Sequence, residues 1–95
     1  MKKQLQKNIS HFLQREDNVL FAYLHGSFLK GSFHDIDIAI FIKPGKKTKS
    51  SLLRYELTLE TKLQEQFRFP FDVRSLYFSP LAFQFSVIKL GILIF

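Results

Sequence analysis

Cysteine and tryptophan are absent from this 95-residue chain, which holds only four glycines and three prolines. Without cysteine there are no disulfides and no thiolate metal sites, so a reducing, cytoplasmic setting is the expectation. Long apolar runs are missing too. The longest, 36–42 and 87–95, fall far short of the ~20 residues that a membrane-spanning helix requires. The opening MKKQLQKNISHF is basic, but no continuous apolar segment follows it, so it does not read as a secretory leader. What the chain does have is core-forming material. Hydrophobic residues make up 46% of it and twelve of them are phenylalanine, which argues against disorder. Residues 1–95 read as one domain, of a size that buries about 60–65% of its unfolded surface.

The formal net charge of +6 raises the question of a nucleic-acid partner. Apart from Lys2-Lys3 and the segment 43–49, the basic residues are scattered. That segment, KPGKKTK, combines turn formers with charge and reads first as a solvated loop. A basic surface equally suits a substrate that carries phosphates. Because no motif interleaves aromatic and basic residues, direct nucleic-acid binding ranks last among the readings.

Leu5, Ile9, Phe12 and Leu13 recur at helical spacing and predict an amphipathic helix over 3–15. The run VLFAYL at 19–24 reads as a buried strand ending at Gly26. Residues 26–34 have room for a turn and at most one helical turn. Over 35–42 the pattern alternates strictly, with Ile36, Ile38, Ile40 and Ile42 on one face and Asp35, Asp37, Ala39 and Phe41 on the other. Thr48 or Ser50 can cap a helix reaching 67, with an apolar stripe of Leu52, Tyr55, Leu59 and Leu63. A third strand is expected at 71–77. Ser79 as N-cap and Pro80 at the first helical position then start a helix that ends at Gly91, and 92–95 form a last apolar strand or tail. The alternating order predicts an α/β (α+β) fold in which helices pack on a small mixed sheet.

Two pairs of residues carry the chemistry. On a strand, i and i+2 share a face, so Asp35 and Asp37 stand about 6–7 Å apart and can converge on divalent cations. Taken alone, Asp-x-Asp is more often the solvent face of a half-buried strand. Aspartate is depleted in strands, however, and here two follow a Gly-Ser turn. Gly26 lets the backbone turn sharply, and Ser27 with the free N–H groups after it forms an anion cradle. Gly-Ser alone is a common turn; the order strand, Gly-Ser, Gly, Asp-x-Asp, strand is much rarer. Asp72, early in the third strand, is a candidate third ligand if a neighbouring strand brings it beside the pair; taken by itself it is more often a strand-start cap or an ion-pair partner of Arg74 or Arg68.

LHGSFLKGSFHDIDIAIFI, with FDVRSL further on, resembles the nucleotidyltransferase superfamily that includes DNA polymerase β and the aminoglycoside nucleotidyltransferases. Within it the chain is most similar to the minimal nucleotidyltransferases. The tail SPLAFQFSVIKLGILIF looks like the end of that group, and the resemblance spans 18–95. It implies the polymerase β-like fold, with Gly26 and Ser27 holding a triphosphate and Asp35 and Asp37 binding metal. It further implies Asp72 as the third carboxylate, helping to activate an attacking hydroxyl. Lys30 falls where relatives often carry a basic residue and is a candidate phosphate contact, with a solvated lysine as the alternative. Two departures concern the loop: the turn from Gly31 to Asp35 is short, and His34 stands where a serine often precedes the first aspartate. His34 reads as an ordinary turn histidine and His25 as a packing or strand-end residue. The shortness of the chain also suggests that relatives' additional substrate-binding domains are absent.

By the same resemblance, the chemistry is transfer of a nucleoside monophosphate, AMP from ATP, with two Mg²⁺ ions as cofactors. The resemblance also points to a HEPN-type toxin as partner, modified on a tyrosine, and to an antitoxin role for this chain. A non-catalytic antitoxin or scaffold that retains a nucleotide and Mg²⁺ site is the alternative, suggested by the apolar tail and the abundance of phenylalanine. Base specificity, the acceptor and the oligomeric state are not written in the chain.

Overall fold

The computed structural model describes residues 2–26, 35–43, 45 and 48–95. Along them run α1 (Lys2–Gln14), β1 (Val19–His25), β2 (Ile36–Ile42), α2 (Lys49–Phe67), β3 (Phe71–Ser75), α3 (Leu81–Leu90) and β4 (Ile92–Leu93), in the order the sequence predicts. The strands form one four-stranded sheet in the order β3-β2-β1-β4. β1 pairs antiparallel with β2 and with β4, whereas β2 and β3 are parallel. A parallel pair requires a crossover, and α2 supplies it. No helix among the described residues is long and apolar enough to cross a membrane.

The period of two in β2 decides what lies on each side of the sheet. Ile36, Ile38 and Ile40 are fully buried with Ile9 and Leu13 of α1 and Leu59 and Leu63 of α2. Burying each such side chain contributes about 1.5–3 kcal/mol, so this face holds most of the fold's apolar stabilisation. The opposite face is covered as well. Ala39 is fully buried and clusters with Leu76 and Val87, flanked by Tyr23, Phe41 and Phe83. Helices α1 and α2 therefore cover one face and α3 part of the other.

Local chemistry sets the element ends, not always as expected. Thr48 caps α2 by accepting from Ser51 N at 3.0 Å, while Ser51 Oγ accepts from Thr48 N at 3.1 Å. This is a capping box with serine in the usual glutamate position. α2 ends with Arg68 in the left-handed region, at φ 57°. The predicted serine cap of α3 is corrected: Pro80 is the N-cap residue, its carbonyl accepting from Gln84 N. The Ser79 hydroxyl is spent elsewhere, donating to Ser75 O at 2.7 Å and so satisfying the end of β3. β3 itself stops at Ser75, two residues before the expected 77, because Leu76 makes one more bond to Ile40 O and the chain then turns. Regular pairing in β4 is confined to Ile92 and Leu93 of the expected 92–95, although Ile94 N still donates to Ala22 O. Gly91 ends α3 in an extended conformation, and a Cβ there would lie 2.9 Å from Leu24 O, so close packing against β1 selects the glycine.

β3 lies at one edge of the sheet, and α2 closes that edge. The N–H groups of Phe71, Val73 and Ser75 donate to Gln64 Oε1, Glu60 Oε1 and Glu56 Oε2 at 3.2, 3.0 and 2.7 Å. Acceptors four residues apart on one helix flank thus take the place of a fifth strand.

Candidate active site

The two strand registers assemble the site. Asp37 points to the α3 face of β2, opposite the isoleucines. Parallel pairing sets Asp72 of β3 against it, about 4.8 Å away at the backbone. Antiparallel pairing sets His25 of β1 against Asp37 from the other side. Three adjacent strands therefore bring His25, Asp37 and Asp72 side by side at one end of the sheet. β1 runs directly into Gly26, whose φ is +71°. A Cβ on Gly26 would collide with Asp37 Oδ2, so glycine is required both by the backbone angle and by the space the carboxylate occupies. Asp35 lies exposed immediately before β2.

Burial governs the electrostatics. The Asp37 carboxyl is raised above its ordinary range, first by desolvation and further by the Asp72 and Asp35 carboxylates, with His25 and Arg74 opposing. His25 is lowered from the ordinary imidazole range, again first by desolvation, although Asp37 and Asp72 pull it upward. These shifts run opposite to those of an ion pair, which would lower the acid and raise the base. The His25 ring stands edge-on to Phe83 at 5.5 Å, and its buried Nε2 has no hydrogen-bond partner among the described residues. Arg74 Nε lies 3.6 Å from Asp72 Oδ2, and both side chains are substantially exposed. Such a pair is worth about 0–1 kcal/mol and is easily given up to a ligand.

Of the residues singled out from the sequence, Asp37, Asp72 and Gly26 come together, and Asp35 stands at their margin. Ser27, Lys30 and His34 lie outside the described residues. Among the described residues no three acidic or imidazole groups already form a nest for an ion. Mg²⁺ is usually held by one or two carboxylates plus substrate phosphates, so a pre-formed three-ligand cage is not what such a site demands. The all-oxygen donors fit the ion, and a cation would offset both the desolvation and the lesser carboxylate repulsion that raise Asp37. His25, expected as a packing or strand-end residue, packs against Phe83. The identity of that partner depends on where α3 packs, which no local pattern announces, whereas the face His25 shares with Tyr23 was readable from the strand period.

The family described as polymerase beta, nucleotidyltransferase matches residues 7–95. A search of curated proteins found no match. Among solved structures, the chain resembles one from Shewanella oneidensis described as a tri-AMPylated HEPN toxin in complex with MNT antitoxin. That match has 23% identity and a TM-score of 0.72, covering 100% of this chain and 72% of that one. A MntA–HepT toxin–antitoxin structure matches at 21% identity and TM-score 0.70, covering 97% of this chain and 71% of the other. A toxin–antitoxin structure with AMP-PNP matches at 22% and 0.70, covering 94% and 70%. At these identities the structures establish a shared fold, while the family match runs over nearly the whole chain and includes the glycine turn and all three aspartates. The chain belongs to the polymerase β nucleotidyltransferase family.

Proposed function

We propose that this chain transfers AMP from ATP to a tyrosine hydroxyl of a partner HEPN toxin and thereby acts as its antitoxin. The observation that carries the reading is the parallel register that sets Asp37 beside Asp72, directly next to the Gly26 turn. Two half-buried carboxylates side by side are unfavourable unless something positively charged joins them. The structural relatives supply the rest of the reading: one contains an AMPylated HEPN toxin and another AMP-PNP.

In this reading Asp35, Asp37 and Asp72 hold Mg²⁺, and Gly26, Ser27 and Lys30 receive the triphosphate. When bound, the cation neutralises phosphate charge and makes the acceptor hydroxyl easier to deprotonate. The Asp72 carboxylate, at the open edge of the group, accepts the hydroxyl proton. The hydroxyl oxygen bonds to the α-phosphorus as the bond from that phosphorus to the bridging β-phosphate oxygen breaks, and pyrophosphate leaves in line. His25, edge-on to Phe83 and lowered from the ordinary imidazole range by burial, adds no positive charge beside Asp37 at neutral pH. Positioning and charge do the catalytic work.

The test is incubation with Mg²⁺, α-labelled ATP and a HEPN toxin. Label is expected on a toxin tyrosine, and Asp37→Asn should reduce the transfer rate by at least about 100-fold, the scale of losing one group that stabilises transition-state charge. A second reading, a non-catalytic antitoxin, is favoured by the apolar outer face of α3. There Leu81, Phe85 and Ile88 are 81%, 66% and 55% exposed. Undiminished silencing of the toxin by an Asp35→Asn/Asp37→Asn variant that moves no label would establish that reading instead.

A further inference from the structure

We infer that the cleft between α2 and the turn at 76–80 receives the acceptor, and that it selects an aromatic side chain bearing a hydroxyl, a tyrosine presented by a protein. The inference rests on the nucleotidyl-transfer reading and names the substrate side of the same site. This cleft has a volume of about 520 Å³, and its walls include Leu53, Leu57, Phe78 and Pro80, with Asp72 and Arg74. Leu53, Leu57 and Phe78 belong to neither cluster of the buried core. Leu53, Leu57 and Phe78 are 56%, 53% and 46% exposed, although α2 buries its own stripe through Leu52, Leu59 and Leu63. Exposed leucines one turn apart, off that stripe, serve an occupant rather than the core.

The polar lining narrows what the occupant can be. Glu56 and Glu60 border the cleft, but their carboxylates already accept from Ser75 N and Val73 N. The edge of β3 is thereby closed, so a partner does not enter by adding a strand. It enters by side chain, against leucines and a ring. Phe78, which lines the cleft, also meets Tyr77 edge-to-face at 4.8 Å and lies under Lys49 Nζ at 5.9 Å, so its ring is held at one end of the cleft beside a second ring and a cation. Asp72 supplies the hydrogen-bond acceptor that a hydroxyl requires. A phenol satisfies both demands, since its ring fills apolar space while its O–H reaches a carboxylate. An aliphatic hydroxyl such as serine's leaves the apolar walls unused.

The experiment uses N-acetyl-tyrosinamide, N-acetyl-serinamide and N-acetyl-phenylalaninamide as probes. Transfer of labelled AMP from Mg²⁺-ATP is measured in wild type, Phe78→Ala, Leu57→Ser and, as a control elsewhere on the surface, Leu20→Ser. Tyrosinamide should exceed serinamide in kcat/KM by about tenfold or more, the scale on which apolar pockets discriminate. The two cleft variants should raise KM for tyrosinamide with KM for ATP unchanged, while Leu20→Ser matches wild type. Amide chemical shifts with unreactive phenylalaninamide give a readout independent of catalysis, with perturbations expected at Leu53, Leu57 and Phe78. Shifts there without any transfer uphold the cleft and overturn the transferase reading. Transfer with equal use of serine and tyrosine, or unaltered by the cleft variants, overturns the cleft and leaves the transferase reading standing. Absence of shifts at these residues also overturns the cleft.

Discussion

The two faces of β2 are made from the same seven residues and do opposite things. One face is all isoleucine, sealed between the sheet and α1 and α2. The other begins with Asp37, passes through fully buried Ala39 and ends at half-buried Phe41, which stacks on Phe21 at 5.0 Å. The first face is uniform because packing asks only for apolar volume. The second changes along its length because Leu76 and Val87 bury Ala39 while the Asp37 end stays only half-buried. The difference teaches that a 95-residue domain keeps its main core and its candidate site on opposite sides of one strand.

The largest effect should come from breaking the sealed face. Ile38→Ala removes a fully buried side chain from the middle of the core and is expected to cost about 2–5 kcal/mol. In a domain whose whole margin is about 5–15 kcal/mol, urea denaturation will register this as a large drop in midpoint. On the other face, Asp37→Asn should leave that midpoint unchanged or raise it, since it deletes a carboxylate that burial disfavours. Gly26→Ala attacks the boundary between the faces. It forces a side chain into the left-handed region and into Asp37 Oδ2, at about 1–3 kcal/mol. Because the displaced atom belongs to the carboxylate, nucleotide affinity measured by calorimetry should fall together with stability. A smaller effect is expected at the closed edge. Glu60→Ala leaves Val73 N–H without its acceptor and should cost about 1 kcal/mol, whereas Glu60→Gln keeps an acceptor and should cost little.

Much of this was legible because it is periodic or local. The alternation at 35–42 located both faces of β2, and Gly26 with the following Asp-x-Asp marked the candidate site, where the fold sets Gly26 against Asp37. The spacing of Leu52, Leu59 and Leu63 located the buried stripe of α2. What stayed hidden depends on where distant segments meet. That Asp72 faces Asp37 follows from the parallel register of β2 and β3, which nothing in either strand encodes. The burial of Ala39 on the face it shares with Asp37 follows from the packing of α3. Ser79 illustrates the remaining kind of miss: its hydroxyl had two candidate duties, a helix N-cap or a bond to the end of β3. Propensity favoured the first, and the turn geometry delivered the second.

The smallest expected effect separates the two faces by pH. His25 is held below the ordinary imidazole range by burial, against the pull of two carboxylates, so the folded protein binds this proton less readily than the unfolded chain. Its contribution is present above the ordinary imidazole pKa and is lost as pH falls towards the folded value. Between pH 7.5 and 5.5 the wild-type urea midpoint should therefore decline. His25→Gln, which cannot titrate in this window, should decline less. Asp37 works in the opposite sense, since its raised carboxyl favours the folded state as pH falls, but at a lower pH where the aspartates titrate. Ile38 itself does not titrate, so Ile38→Val should shift the whole profile down without changing its shape between pH 7.5 and 5.5. A profile whose slope is the same in wild type and His25→Gln would mean that the imidazole is not desolvated in the folded state, and that the contact with Phe83 is made by a ring water still reaches.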